Sequence, residues 1–111
     1  MSETLELWQT EWCPASHRVR QRLTELGLSF IAHQVPVERS TRSALQAATG
    51  ETAIPALVAE ERVIGGEEAI LSYLERHFSE PPSAEEQRTK AAKAKRKELE
   101  AACPKFAAAT P

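Results

Sequence analysis

The chain has 111 residues, enough for one small domain with a short appendage. Its 41% hydrophobic and 27% charged residues and its two cysteines exclude a disulfide scaffold, a collagen-like or repeat protein and a largely disordered one. The net charge of −2 hides a division: up to Pro82 there are 7 Arg, 12 Glu and no Lys, whereas from Ser83 onward there are 5 Lys, 2 Arg and 4 Glu.

No apolar run approaches the ~20 residues that cross a bilayer. Met1-Ser2-Glu3-Thr4 has no basic region followed by an apolar stretch, so a cytoplasmic location is expected, with the cysteines as thiols. Pro81-Pro82-Ser83 marks the change of composition. The expected organisation is a body over residues 1–80 and a Lys/Ala/Glu-rich tail over 81–111.

In chain order, Thr4 to Trp8 alternates and reads as a first strand. After Pro14, the spacing of Val19, Leu23 and Leu26 predicts an amphipathic helix ended by Gly27. Phe30 to Val35 reads as a second strand, and Ser40 is the expected cap of a short helix through Thr49, with Gly50 past its end. Ala56–Ala59 and Arg62–Ile64 flank Glu60-Glu61 as a hairpin. Gly65-Gly66 then leads into a helix with Ile70, Tyr73, Leu74 and Phe78 on one face. This β-α-β-α-β-β-α order predicts a parallel pair extended by antiparallel strands, with helices on both faces. The stretch from Ala84 to Ala102 contains good helix formers, but Leu99 is its one large aliphatic. It reads as a solvated helix, a partner-dependent helix or disorder.

Trp12-Cys13-Pro14-Ala15-Ser16 falls at the first strand-to-helix junction. Cys13 at the N-cap and Pro14 at the first helical position put a thiol among unpaired backbone N–H groups at the positive end of a helix. Both favour thiolate, the nucleophile of disulfide exchange. Ser16 stands where a C-x-x-C motif has its second cysteine, so a mixed disulfide at Cys13 needs an outside thiol to resolve it. The Ser16 hydroxyl is a candidate donor to the Cys13 sulfur. The Ile54-Pro55 bond is open to cis or trans. Gly65-Gly66-Glu67-Glu68 reads as an anion site at a helix N-terminus or as a plain turn. His17, one turn after Cys13, is a candidate cation or metal ligand, although a zinc site would lack further ligands. Cys103 is a distant resolving thiol or an incidental one. The Lys90–Lys97 run reads as a solvated face, since no aromatics interleave it to favour nucleic acid.

Cys13-Pro14-Ala15-Ser16 after a first strand, Ile54-Pro55 before the third and Gly65-Gly66 opening the last helix together resemble the glutaredoxin branch of the thioredoxin-like superfamily. That branch includes the amino-terminal domain of glutathione S-transferases. The resemblance covers residues 4 to about 78. It implies an α/β thioredoxin-like fold: a four-stranded mixed sheet flanked by helices, with a helical or disordered tail. It also implies a cis Ile54–Pro55 bond and a bound glutathione. In that picture Cys13 is the reactive thiol with Ser16 beside it. Pro14, Ile54, Pro55, Gly66, Glu67 and Glu68 bind glutathione, the Ile54 backbone pairing with its cysteinyl part and the Glu68 carboxylate facing its ammonium.

Three positions depart from the family pattern. Thr10 stands where glutaredoxins often have lysine, Ala53 where they have threonine, and Glu68 where aspartate or serine is usual. The partner of the glycyl carboxylate is unassigned, with Arg18, Arg39 and Arg42 as candidates. The Trp12–Arg20 and Ala69–Leu74 passages look more like a glutathione transferase, and Ser79-Glu80-Pro81-Pro82 with the Arg88 region looks like a transferase linker and next helix. The function expected is glutathione-dependent thiol–disulfide exchange by a monothiol route. The alternatives are a vestigial single-domain transferase and a non-catalytic glutathione-binding module with the tail as its contact. A [2Fe–2S] carrier, with Cys13 of two chains and two glutathione thiols as ligands, is a further alternative.

Overall fold

The structure is a computed structural model that describes residues 4–102. Four strands, β1 (Leu5–Gln9), β2 (Ile31–Gln34), β3 (Ala56–Ala59) and β4 (Arg62–Gly65), form one mixed sheet in the order β2-β1-β3-β4. β1 runs parallel to β2 and antiparallel to β3, and β3 and β4 are antiparallel. Four α-helices accompany them: α1 (Pro14–Glu25), α2 (Ser43–Thr49), α3 (Glu67–His77) and α4 (Ala84–Ala102). The expected thioredoxin-like α/β architecture is the one observed.

Strand alternation decides which side chains meet which helices. Leu5 and Leu7 of β1 and Leu57 and Ala59 of β3 point to one face, where Val19 and Leu23 of α1 and Ile70, Tyr73 and Leu74 of α3 close over them. The opposite face carries a smaller cluster in which Leu45 of α2 meets Val35 and Ala56, flanked by Trp8 and Ile54. α2 is too short to cover that face, so Ile31 and Val63 stay 52% and 45% exposed. On the same face the Trp8 ring stacks on His33 at 4.1 Å, and His33 hydrogen-bonds Glu6 at 2.7 Å.

Helix α1 ends as Gly27 requires. The Gly27 N–H donates to Thr24 and the Leu28 N–H to Leu23, a Schellman closure with Gly27 at φ 70. The second helical segment differs from expectation. A 3₁₀ turn spans Arg39–Thr41, α2 begins only at Ser43, and its cap is Arg42 rather than Ser40, with no side-chain cap bond. The reason is the buried Arg42 side chain, which donates to the carbonyls of Pro36 at 2.8 Å, Val37 at 3.0 Å and Thr52 at 2.7 Å. That anchorage holds Arg42 at φ −86, ψ 49, outside the helical well, and breaks the segment in two. β2 is also shorter than expected, omitting Phe30 and Val35.

The tail segment is neither detached nor disordered over its described length. α4 docks on α1 through the buried Ala84 and through Arg88. The Arg88 guanidinium reaches Glu25 at 3.0 Å, Glu80 at 3.0 Å and Glu85 at 2.8 Å, and Arg22 joins Glu25 at 2.8 Å and Glu80 at 2.6 Å. Arg88 and then Arg22 hold the Glu80 carboxyl down at about 2. Glu25 also lies below its ordinary value: burial pushes it up, but Gln21, Arg22 and Arg88 outweigh that. Both carboxyls are depressed in the folded state, so their contribution is present above the ordinary carboxyl value of 4.5 and is lost as pH falls towards about 2. Amides of α4 are therefore expected to lose hydrogen-exchange protection across that window. Arg88→Ala should produce the same loss at neutral pH, by about tenfold or more, while the sheet amides keep theirs. No described helix is long and apolar enough to cross a membrane.

Candidate thiol active site

The strand register brings three loops to one end of the sheet. β1 leads toward Cys13 past Trp8, Ala56 at the start of β3 pairs with Trp8, and Gly65 at the end of β4 pairs with Ala56. The Ile54–Pro55 bond is cis, and Ile54 lies on a bend just outside the ladder. The Gly66 N–H donates to the Pro55 carbonyl at 2.9 Å, fastening the glycine turn to the proline loop. Gly66 holds φ 91, which a side chain would strain, and caps α3 without a side-chain bond. The first-turn N–H groups of α3 are therefore left for something other than a cap.

Cys13 is the N-cap of α1 at φ −87, ψ 115, with Pro14 following as the residue that needs no acceptor. Its sulfur is half-buried and free, and it accepts a hydrogen bond from the Ser16 N–H at 3.4 Å. The Ser16 Oγ is fully buried and meets no partner at full hydrogen-bond geometry among the described residues, yet its hydroxyl dipole lies close enough to the sulfur to favour the thiolate, beside the direct bond from the Ser16 N–H. The Thr10 hydroxyl, one residue past the end of β1, is likewise buried without a hydrogen-bond partner among the described residues. Burial pushes the Cys13 thiol up, but it is outweighed by the Ser16 hydroxyl dipole, the N–H groups of Ser16 and Ala15 and the positive charge of Arg18. The net result is a thiol below its ordinary value. Alkylation by iodoacetamide should therefore titrate with a midpoint below that of an ordinary cysteine, and Arg18→Gln should move the midpoint up.

The arginines hold the surroundings together. Arg20 donates to the Gln9 side chain, to the Thr10 carbonyl at 3.3 Å and to Glu11 at 3.2 Å, which fixes the loop leading to Cys13. Arg39 donates to Thr52 Oγ1 at 3.0 Å, and Arg42 grips the Thr52 carbonyl, so the run into Ile54–Pro55 is pinned from two sides. Arg42 is thus buried and committed to the loops through its whole fork, whereas Arg39 is exposed and engages through Nε alone. Arg18 reaches from α1 to the first residue of α3, pairing its Nε and Nη2 with the two Glu67 oxygens, the latter at 2.8 Å. Glu68 stands beside that pair, exposed. His17 is exposed and lines the groove between α1 and α4 with Gln21, Ala91 and Lys95. Among the described residues no three His, Cys, Asp or Glu side chains are grouped to hold a metal ion. A cluster at Cys13 would thus depend on ligands from outside this set. Cys103 lies outside the described residues.

The family model of the glutathione S-transferase N-terminal domain matches residues 7–82, which is most of the chain. The chain belongs to that family. Among solved structures, a glutathione S-transferase from Rhodospirillum rubrum is similar at 30% identity, with 70% of this chain and 35% of that one covered and a TM-score of 0.60. FzlA from C. crescentus is similar at 29% identity, covering 71% and 36%, also at a TM-score of 0.60. Rice GST1 in complex with glutathione is 22% identical, covers 86% and 44% and has a TM-score of 0.62, a likeness of fold. The chain thus spans less than half the length of these structures. Among curated proteins, none matches the sequence.

The matched span holds Cys13, the cis Ile54–Pro55 bond and the Gly66 turn together. Sequence reasoning singled out these three loops but missed the arginine grips on two of them. Runs of arginine on a polar helix face gave no sign of which carbonyl or carboxylate each would reach.

Proposed function

We propose that this transferase-family domain is a glutathione-dependent thiol–disulfide oxidoreductase that works by a monothiol route. The observation that carries the reading is Cys13: a half-buried, free thiol at a helix N-cap, shifted towards thiolate, with Ser16 and not a second cysteine three residues on. The family match and the glutathione bound in the rice structure support glutathione as the thiol.

The Cys13 thiolate attacks the glutathionyl sulfur of a protein–glutathione mixed disulfide. A Cys13–glutathione disulfide forms, and the protein thiolate leaves and takes a proton from water. A second glutathione thiolate then attacks the glutathione sulfur of that adduct, releasing glutathione disulfide and the Cys13 thiolate. The substrate disulfide is reduced, two glutathione equivalents end as one disulfide, and the protein returns unchanged. In this reading Pro14 and Pro55 flank the sulfur, and the Ile54 backbone pairs with the cysteinyl part of glutathione. Gly66, Glu67 and Glu68 hold the γ-glutamyl end, with Glu68 towards the ammonium. The test is turnover of a glutathionylated peptide in excess glutathione with a reductase couple. Turnover supports the reading. Its absence from a folded protein overturns it in favour of a glutathione-binding module.

A further inference from the structure

We infer that Cys103 is a second redox thiol: α4 carries it to Cys13, where it displaces bound glutathione and leaves an internal disulfide when free glutathione is scarce. The inference rests on the glutathione reading above. The observation that carries it is the direction of α4. Pro81 stands against Gly27, just past the C-terminal end of α1. Arg88 then pairs with Glu25, the last residue of α1, at 3.0 Å. Further along, Ala91, Lys95 and Glu98 line one groove with Gln21 and His17, nearer the N-terminal end of α1. α4 therefore runs antiparallel to α1, back towards the thiol.

The two lengths match. At about 1.5 Å per residue, α4 advances about 21 Å from Arg88 to Ala102, and α1 spans about 18 Å from Glu25 back to Cys13. The last turn of α4 thus comes level with the N-cap sulfur, and Cys103 is the residue after Ala102. Beyond Ala91 the α4 residues through Glu100 are exposed, and among the described residues no ion pair past Arg88 ties them to α1. A disulfide needs Cα atoms about 6 Å apart, and this untied end leaves α4 free to close on α1. In the step itself Cys103 gives its proton to water, and its thiolate attacks the Cys13 sulfur of the Cys13–glutathione disulfide. A Cys13–Cys103 bond forms, the bond to glutathione breaks, and glutathione leaves as a thiolate that takes up a proton. The glutathionyl disulfide is the oxidant, and the two protein thiols give up the two electrons. Abundant glutathione attacks the adduct first, so turnover in excess glutathione does not need Cys103.

The experiment mixes the reduced full chain with an equimolar amount of glutathione disulfide and follows Cys13 by acid quench, peptide mapping and mass spectrometry. In wild type a glutathione adduct on Cys13 should appear first and then give way to a Cys13–Cys103 disulfide, at a rate independent of protein concentration. In Cys103→Ser the adduct should accumulate and persist. In Arg88→Ala, which unfastens α4, the adduct should form as in wild type but convert about tenfold more slowly, because the docked helix sets the effective concentration of the second thiol. A wild-type adduct that persists as in Cys103→Ser overturns the inference. So does conversion that scales with protein concentration, or conversion as fast in Arg88→Ala as in wild type. If Cys13 takes up no glutathione in any of the three proteins, the oxidoreductase reading fails and this inference with it, so the two failures are distinguishable.

Discussion

Cys13→Ser is expected to lower turnover of a glutathionylated peptide by about a thousandfold or more. The hydroxyl that replaces the thiol stays protonated at neutral pH and is a poor nucleophile towards sulfur, whereas the wild-type thiol is held towards thiolate by Ser16, Ala15 and Arg18 against the burial that opposes it. Serine is also a good N-cap, able to accept the Ser16 N–H as the sulfur does. The variant should therefore melt within a few degrees of wild type, and the loss belongs to chemistry and not to folding. Coupled turnover and thermal melts on the same preparations check both halves. Cys103→Ser, at a position outside the described residues, should retain turnover if the route uses one thiol.

The second large effect concerns stability. Leu7 is fully buried in the middle of β1, paired with Ala32 of β2 on one side and Leu57 of β3 on the other, under α1 and α3. Every surrounding element is anchored to the sheet, so little can collapse into the space of a lost isobutyl group. Leu7→Ala is expected to cost about 3 kcal/mol and to lower Tm by more than roughly 10 °C. Leu99→Ala is the control: Leu99 is 60% exposed on α4, and its loss should stay within about 0.5 kcal/mol. Urea unfolding followed by circular dichroism measures both.

Much of this fold is legible in the sequence because local signals agree with the global arrangement. Alternation in Leu5–Gln9, the Val19–Leu23–Leu26 stripe and the glycines at 27, 50 and 66 are local patterns, and each marks an element or an end that the structure contains. The thiol position is legible for the same reason: Cys-Pro after a strand places a cap and a first helical residue by chemistry that acts over two residues.

The remainder depends on contacts that no local pattern announces. Arg42 reads as a polar helix residue, but its side chain binds carbonyls as far apart as Pro36 and Thr52 and shortens the helix it was expected to continue. α4 lacks an apolar stripe, and its docking relies on the small buried Ala84 and on Arg88 meeting Glu25 from 63 residues away. Arg18 reads as a candidate for a ligand carboxylate and Glu67 as a glutathione-binding residue, and only the packing of α1 beside α3 brings the two together.

A monothiol route requires that Cys13 carry glutathione during turnover. The decisive measurement is mass spectrometry of wild-type protein quenched with acid while it is consuming a glutathionylated peptide. A glutathione adduct on Cys13, formed and consumed at the rate of turnover, is expected. An adduct of the peptide itself on Cys13, or turnover with Cys13 unmodified throughout, would contradict it.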